Sequence, residues 1–250
     1  MIRTPLDVAA ILAAGLVAGV ANAIVGSGSL LTFPVLLAAG YSPVVANVTN
    51  TVGIVFGSFS GVVGYRRELA GQRARIIGLL LPSAAGALVG AALLLALPAT
   101  VFHRVVPVLI LFALILVVAQ PRLSAMLVRY RDHPLSFLAL RVAVFLTAIY
   151  GGYFGAAQGV ILVALMGVLL QDTLQRINAL KNVVAAVVNA VAAVVFVLLA
   201  HVAWPAAILL AISSTIGGQL GSAVGRRLSP TLLRALIVVA GVAAVVKLLL

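Results

Sequence analysis

Val25-Gly26-Ser27-Gly28-Ser29-Leu30-Leu31-Thr32-Phe33-Pro34 interrupts an otherwise almost unbroken apolar run, and its reading decides the fold. Glycine and serine end the first hydrophobic stretch, and a second one, at 29–39, follows at once. A glycine-rich turn that opens a helix bares several backbone N–H groups, which together with the helix dipole favour an anion. At membrane depth such a break survives only where it is buried in protein or lines a cavity. The stretch is therefore the first candidate for a binding site.

The composition around it is that of a membrane protein. Hydrophobic residues make up 64% of the 250 residues and charged ones 8%, and the mean hydropathy is +1.31. Soluble domains run nearer half apolar and a quarter charged. Charge-free windows long enough to cross a bilayer recur along the chain. The net charge of +12 would suggest nucleic acid in a soluble protein, but here the basic residues sit at the ends of apolar spans. The topological reading excludes a nucleic-acid partner. With no cysteine there are no disulfides or thiolate metal sites. Arg3, an apolar stretch and Ala21-Asn22-Ala23 imitate a cleavable signal. That stretch is long for one and runs directly into Gly26–Pro34, so a retained first span is expected.

Breaks at Gly, Pro and charge clusters divide the chain into ten apolar segments. They cover about 7–24, 29–39, 44–65, 75–97, 101–119, 137–155, 160–170, 173–200, 204–225 and 230–249. A polar linker with Arg122, Arg129, Arg131, Asp132 and His133-Pro134 halves the series. The halves repeat: an ungapped shift of 131 pairs Gly28 with Gly159, Asn47 with Asn178, Ser83 with Ser214, Gly86 with Gly217 and Gly90 with Gly221. Five segments is an odd number, so the copies are expected to run in opposite directions. Charge placement agrees. With Arg66, Arg67, Arg73 and Arg75 inside, all other basic residues fall inside too, except Arg3, Arg104 and Lys247.

The expected fold is thus an all-α polytopic membrane protein, an inverted repeat of two five-segment units. Residues 1–119 form the first transmembrane repeat, 120–136 a cytoplasmic linker and 137–250 the second repeat. Segments 29–39 and 160–170 are too short to cross about 30 Å of hydrocarbon at about 1.5 Å per residue. They read as half-helices whose N-terminal tips meet near the bilayer midplane.

The third helix of each repeat carries a polar stripe, Asn47, Asn50, Thr51 and Ser58 in one copy and Asn178, Lys181, Asn182 and Asn189 in the other. The same four positions are used under the shift, and the spacing i, i+3, i+4, i+11 puts them on one helix face. Such residues either glue helices together by hydrogen bonds or line a central path completed by the tips. Two independent signals sharing one symmetry favour the path. Lys181 either snorkels to the cytoplasmic interface or attracts an anion. Gln158 matches Ser27 and offers two N–H donors. Asn22 either faces the site or caps its helix. His103 and His201 read as interfacial residues rather than ligands.

The acidic residues Asp7, Glu68, Asp132 and Asp172 all lie at segment ends or in loops. A cation substrate and a buried acid relay are therefore disfavoured. Gly86-x-x-x-Gly90 and Gly217-x-x-x-Gly221 are small-residue packing motifs, expected to serve contact within a repeat or between protomers. No nucleotide loop, metal cluster or nucleophile–base pair is legible, so no catalytic residue and no cofactor is expected.

The chain resembles the sulfite exporter TauE/SafE family of membrane permeases. The likeness lies in Ala18-Gly19 leading to Gly26-Ser27-Gly28-Ser29, with Pro34 in the first short segment and Ala46–Thr49 after it. In the second half it lies in Tyr150-Gly151-Gly152-Tyr153-Phe154-Gly155-Ala156-Ala157-Gln158-Gly159 and in Arg176-Ile177-Asn178-Ala179-Leu180-Lys181-Asn182. Ser27, Ser29 and Gln158 stand where that family commonly has glycine. The resemblance implies transport of small sulfur-containing anions, sulfite or sulfonates, across the cytoplasmic membrane of a prokaryote by a multi-pass protein. Composition and spacing alone reach a small anion or polar solute.

The expected substrate-binding set is Ser27, Gly28, Ser29, Asn47, Asn50, Thr51, Gln158, Gly159, Asn178, Lys181 and Asn182. Its expected partners are a small anion and the lipid bilayer, with a homo-oligomer left open. An anion channel and a transporter of another small polar solute are the competing readings.

Overall fold

The computed structural model describes residues 2, 4–129, 137–224 and 230–249. Ten helices follow in chain order: α1 (Pro5–Ile24), α2 (Ser29–Ala38), α3 (Pro43–Gly64), α4 (Arg73–Ala96), α5 (Ala99–Arg129), α6 (Phe137–Tyr153), α7 (Gln158–Leu169), α8 (Leu174–Leu199), α9 (Trp204–Val224) and α10 (Pro230–Leu249). No strand occurs among the described residues. Among the described residues six helices, α1, α3, α4, α5, α8 and α9, are long and apolar enough to cross a membrane.

Local chemistry sets the helix ends. Thr4 and Asp7 form a reciprocal capping box, with Thr4 N donating to Asp7 Oδ2 at 2.9 Å and Asp7 N to Thr4 Oγ1 at 3.2 Å. Pro5 and Pro43 stand in the first turns of α1 and α3, where no N–H is needed. Thr173 caps α8 by accepting from Arg176 N. One boundary differs from the expectation. α5 does not stop near residue 119 but continues to Arg129, because Arg122, Leu123, Ala125, Met126 and Leu127 are good helix formers whatever their polarity. The rest of the polar linker, with Arg131, Asp132, His133 and Pro134, lies outside the described residues, as do Arg3, Arg226 and Arg227.

The packing is strongly cross-linked between halves. α1 packs on α9 and α6 on α4; α3 packs on α9 and α8 on α4; α2 packs on α10 and α7 on α5. The self-paired contacts α3–α8 and α5–α10 complete a pattern that maps onto itself when the first five helices are exchanged with the last five. The glycine pairs make this possible. A Cβ on Gly86 would run into Phe145 O, and one on Gly90 would stand 2.8 Å from Tyr153 N, both on α6. On α9, a Cβ on Gly217 would run into Leu16 O and one on Gly221 would stand 2.8 Å from Val20 Cα, both on α1. These motifs therefore join one half to the other, not helices within a repeat as the sequence suggested. Only the absence of a side chain lets the backbones approach so closely.

α3 and α8 lie at the centre. Their stripes, Asn47, Asn50, Thr51 and Ser58 on one and Asn178, Lys181, Asn182 and Asn189 on the other, are all buried. α2, at 10 residues, and α7, at 12, bring their N-terminal ends against each other beneath this pair.

Candidate functional site

The two tips touch through backbone. Gly159 N donates to Gly26 O at 3.1 Å, and no side chain fits between them. Both turns place a left-handed residue at the same shifted position. In the first it is Gly26 at φ +85°, in the second Ala157 at φ +57°, and the second has another at Gly155, φ +73°. Glycine adopts this conformation freely, whereas alanine is strained by roughly 1–2 kcal/mol.

Asn22 does not cap its own helix. Its Oδ1 accepts from Gly28 N at 2.8 Å, so the end of α1 caps the start of α2, and it also borders a cavity. Gln158 N is bonded to Gly155 O at 3.2 Å. Three backbone N–H groups that sequence reasoning offered to an anion, those of Gly28, Gln158 and Gly159, are thus engaged within the protein in this conformation.

The cavity lies between the tips and the crossing of α3 with α8. Ser29, Gln158, Gly159 and Asn182 of the expected set line it, joined by Asn22, Ser58 and Asn189. Its volume of about 20 Å³ suits a single water. Its lining holds no charged side chain. Ser29 and Gln158, from opposite halves, thus line one small cavity.

The remaining expected residues, Ser27, Gly28, Asn47, Asn50, Thr51, Asn178 and Lys181, stand behind this wall and are buried or braced. Asn47 Nδ2 donates to Tyr153 O at 3.0 Å, at the end of α6. Asn50 Oδ1 accepts from Thr32 Oγ1 on α2, and Thr51 Oγ1 turns back to Asn47 O at 3.0 Å. On α8, Asn178 Nδ2 donates to Ala23 O at 3.0 Å, Asn182 Nδ2 to the same oxygen at 3.3 Å, and Lys181 Nζ to Asn22 O at 2.8 Å. These are carbonyls of the last turn of α1, where no intrahelical donor exists and the dipole is negative. Lys181 is fully buried, at 0% exposure, so it does not snorkel. It caps α1, with its stem against Gly159.

Among the described residues, five buried side-chain atoms have no hydrogen-bond partner: Ser27 Oγ, Asn47 Oδ1, Gln72 Oε1, Gln158 Nε2 and Asn178 Oδ1. Four of them form two pairs under the shift of 131, Ser27 with Gln158 and Asn47 with Asn178. An orphaned buried polar atom costs about 1–3 kcal/mol, and such atoms mark where a guest or water is wanted. Gln158 Nε2 is the orphan on the cavity wall, and it is a donor.

On the face assigned to the cytoplasm, a polar clamp joins the halves. Asp172 Oδ2 meets Arg75 at 2.5 Å and its Oδ1 meets Arg176 Nε at 2.8 Å. Arg176 NH1 reaches Ala70 O at 2.9 Å, and Gln72 Nε2 reaches Arg176 O at 3.1 Å. Partial burial tends to raise the Asp172 pKa, but the Thr173 N–H and the two guanidinium groups outweigh it and hold the carboxyl below its usual value. Ala206, Tyr41 and Val45 stand where the shift would repeat Arg75, Asp172 and Arg176, so the other face has no such clamp.

Sequence reasoning missed that Ser58 and Asn189 would join the cavity wall, though it offered Asn22 as facing the site. The stripe spacing named the first two as a face, but which part of that face met a hollow depended on how α3 crosses α8.

Comparison with known proteins agrees with this architecture. The chain is 29% identical over 237 residues to a "Probable membrane transporter protein" of Haemophilus influenzae, covering 94% of this chain and 91% of that protein. It is 27% identical over 250 residues to "Probable membrane transporter protein YfcA" of Escherichia coli K12, covering 98% and 91%. It is 26% identical over 236 residues to "Probable membrane transporter protein ORF9" of Sinorhizobium, covering 94% and 90%. No solved structure matches. The family profile described as "Sulfite exporter TauE/SafE" matches residues 11–248, nearly the whole chain, and this protein is a multi-pass membrane transporter belonging to that family.

Proposed function

We propose that this protein carries small anions, sulfite or organosulfonates, across the cytoplasmic membrane of a prokaryote by alternating access between two inverted repeats. The single observation that carries the reading is that Gln158, one of the residues lining a small polar cavity, carries a buried donor, Nε2, without a partner. A carboxylate there would favour a cation, and none lines the cavity. An anion placed between Gln158, Ser29 and Asn182 would recover in hydrogen bonds what it loses in hydration. Lys181, held at the end of α1 behind this wall, adds positive potential without a carboxylate partner among the described residues.

The other members of the set act in support. Ser27 and Gly28 shape the first tip, and Gly159 the second. Asn47, Asn50, Thr51 and Asn178 hold α2, α6 and α1 in register. A cavity of one-water size suits a carrier rather than an open pore: the walls must separate before a hydrated anion enters. The exchange symmetry of the helix packing supports rocking of one repeat against the other.

Counterflow in proteoliposomes tests this. Saturable sulfite uptake that is accelerated by sulfite or a sulfonate on the opposite side, and lost in Gln158→Ala, is the expected result. Uptake of none of these anions, or flux that rises without saturation, would overturn it.

A further inference from the structure

Pro82 has no N–H, so the carbonyl of Gly78, one turn earlier in α4, lacks its intrahelical donor. Arg141 of α6 supplies one: its Nε donates to Gly78 O at 3.2 Å. The same guanidinium lies over the Phe137 ring, with Cζ 4.9 Å from the centroid. Carbonyl and ring fix the plane of the guanidinium while the residue stays exposed. Among the described residues nothing bonds its two terminal nitrogens, a fork suited to phosphate oxygens.

Directly beside this fork runs a groove of about 420 Å³, lined by Ile77, Gly78, Leu81, Pro82, Ala85 and Arg141. Apart from the guanidinium its lining is hydrocarbon and backbone. Ile77 is 56% and Leu81 77% exposed, so the groove opens on the surface that faces lipid. Arg73, also exposed, precedes Ile77 and Leu81 at i, i+4, i+8 and lies on the same face of α4. Gly78 is five residues further along, so the carbonyl that Arg141 grips lies about 7.5 Å from the backbone of Arg73 along the helix axis. Both arginines fall on the side that charge placement assigns to the cytoplasm, where the leaflet carries anionic lipid.

We propose that this groove between α4 and α6 is a binding site for one anionic phospholipid, whose phosphate sits on Arg141 and Arg73 and whose acyl chain fills the channel beside Pro82. Pro82 lines the channel and frees the carbonyl that orients Arg141. A lone surface arginine would attract lipid without such a floor. The occupant is lipid rather than free phosphate because most of the lining is apolar.

Native mass spectrometry of the purified full chain, incubated with phosphatidylglycerol or phosphatidylcholine of the same acyl chains, tests the site. Wild type is expected to retain phosphatidylglycerol preferentially, and Arg141→Gln to retain about fivefold less, the equivalent of about 1 kcal/mol per basic group. Arg141→Lys keeps the charge and is expected to keep most of the preference. Should Arg141→Gln fail to fold for want of the Gly78 bond, Arg73→Gln leaves that bond intact and is expected to show a loss of similar size. Equal retention of both lipids by wild type, or unchanged retention by the folded arginine variants, would overturn the proposal. So would displacement of the lipid by inorganic phosphate at equal concentration.

Discussion

Asn189 Nδ2 donates to Ser58 Oγ at 2.9 Å, and the two residues are 131 positions apart, the same shift that aligns the halves of the sequence. Equivalent positions on α3 and α8 therefore bond to each other directly, at the border of the cavity. The bond lies where α3 and α8 pack against each other. Removing it by Asn189→Ala is expected to cost about 1 kcal/mol. Ser58→Ala should cost similarly, and the double variant little more than either single one. Unfolding of the four proteins in detergent checks this; fully additive losses would mean the bond is not formed.

The contact between the tips predicts an intolerance to volume. A Cβ on Gly159 would collide with Gly26 Cα and stand 3.0 Å from Lys181 Cδ. Gly159→Ala is expected to destabilise by about 1–3 kcal/mol and to abolish transport. Gly61, which also borders the cavity, has no neighbour closer than 3.7 Å to such a Cβ, so Gly61→Ala should fold as wild type. Thermal unfolding of the pair distinguishes tip contact from a general dislike of added methyl groups.

Lys181 offers a test of the electrostatic part of the proposed function. Lys181→Met removes the cation that caps Asn22 O but keeps the stem beside Gly159. Sulfite uptake into proteoliposomes is expected to fall by roughly tenfold, about 1.4 kcal/mol, in protein that still elutes as a folded species. Lys181→Gln, which restores a neutral donor, should recover structure more than flux. Unchanged uptake in both would remove the positive potential from the mechanism.

Asp172 sets a pH dependence. Its folded pKa is lowered, so the clamp's contribution is complete above the unfolded value near pH 4 and fades as pH falls through the lower folded value. Asp172→Asn is expected to cost about 1 kcal/mol at pH 7, given that both arginines are about one-third exposed. The gap between variant and wild type should stay flat from pH 7 to 5 and be narrower at pH 3. Thermal unfolding at these three values checks the sign.

Much of the fold was legible because hydrocarbon imposes a strict local rule. A run such as 174–199 or 204–224 must satisfy its own backbone as a helix, so length and hydropathy alone locate it. The capping residues Thr4 and Thr173, the brevity of α2 and α7, and the shift of 131 are likewise properties of neighbouring residues or of direct comparison along the chain. The stripe on α8 could be read as a face for the same reason.

The sequence by itself determined the helices, their order and the absence of a carboxylate from the middle of the apolar spans, since each follows from local spacing and composition. Only the tertiary structure decided that Gly86 and Gly217 join opposite halves, that Lys181 caps α1 rather than reaching for water, and that Gln158 is left without a partner beside Ser29. Those outcomes depend on contacts between residues as much as 201 positions apart in the chain. The backbone carbonyl that a side chain meets, here Asn22 O or Tyr153 O, carries no signature of its own in the sequence. It becomes a partner only when two helices cross at one angle and one depth, and packing of the whole bundle sets both.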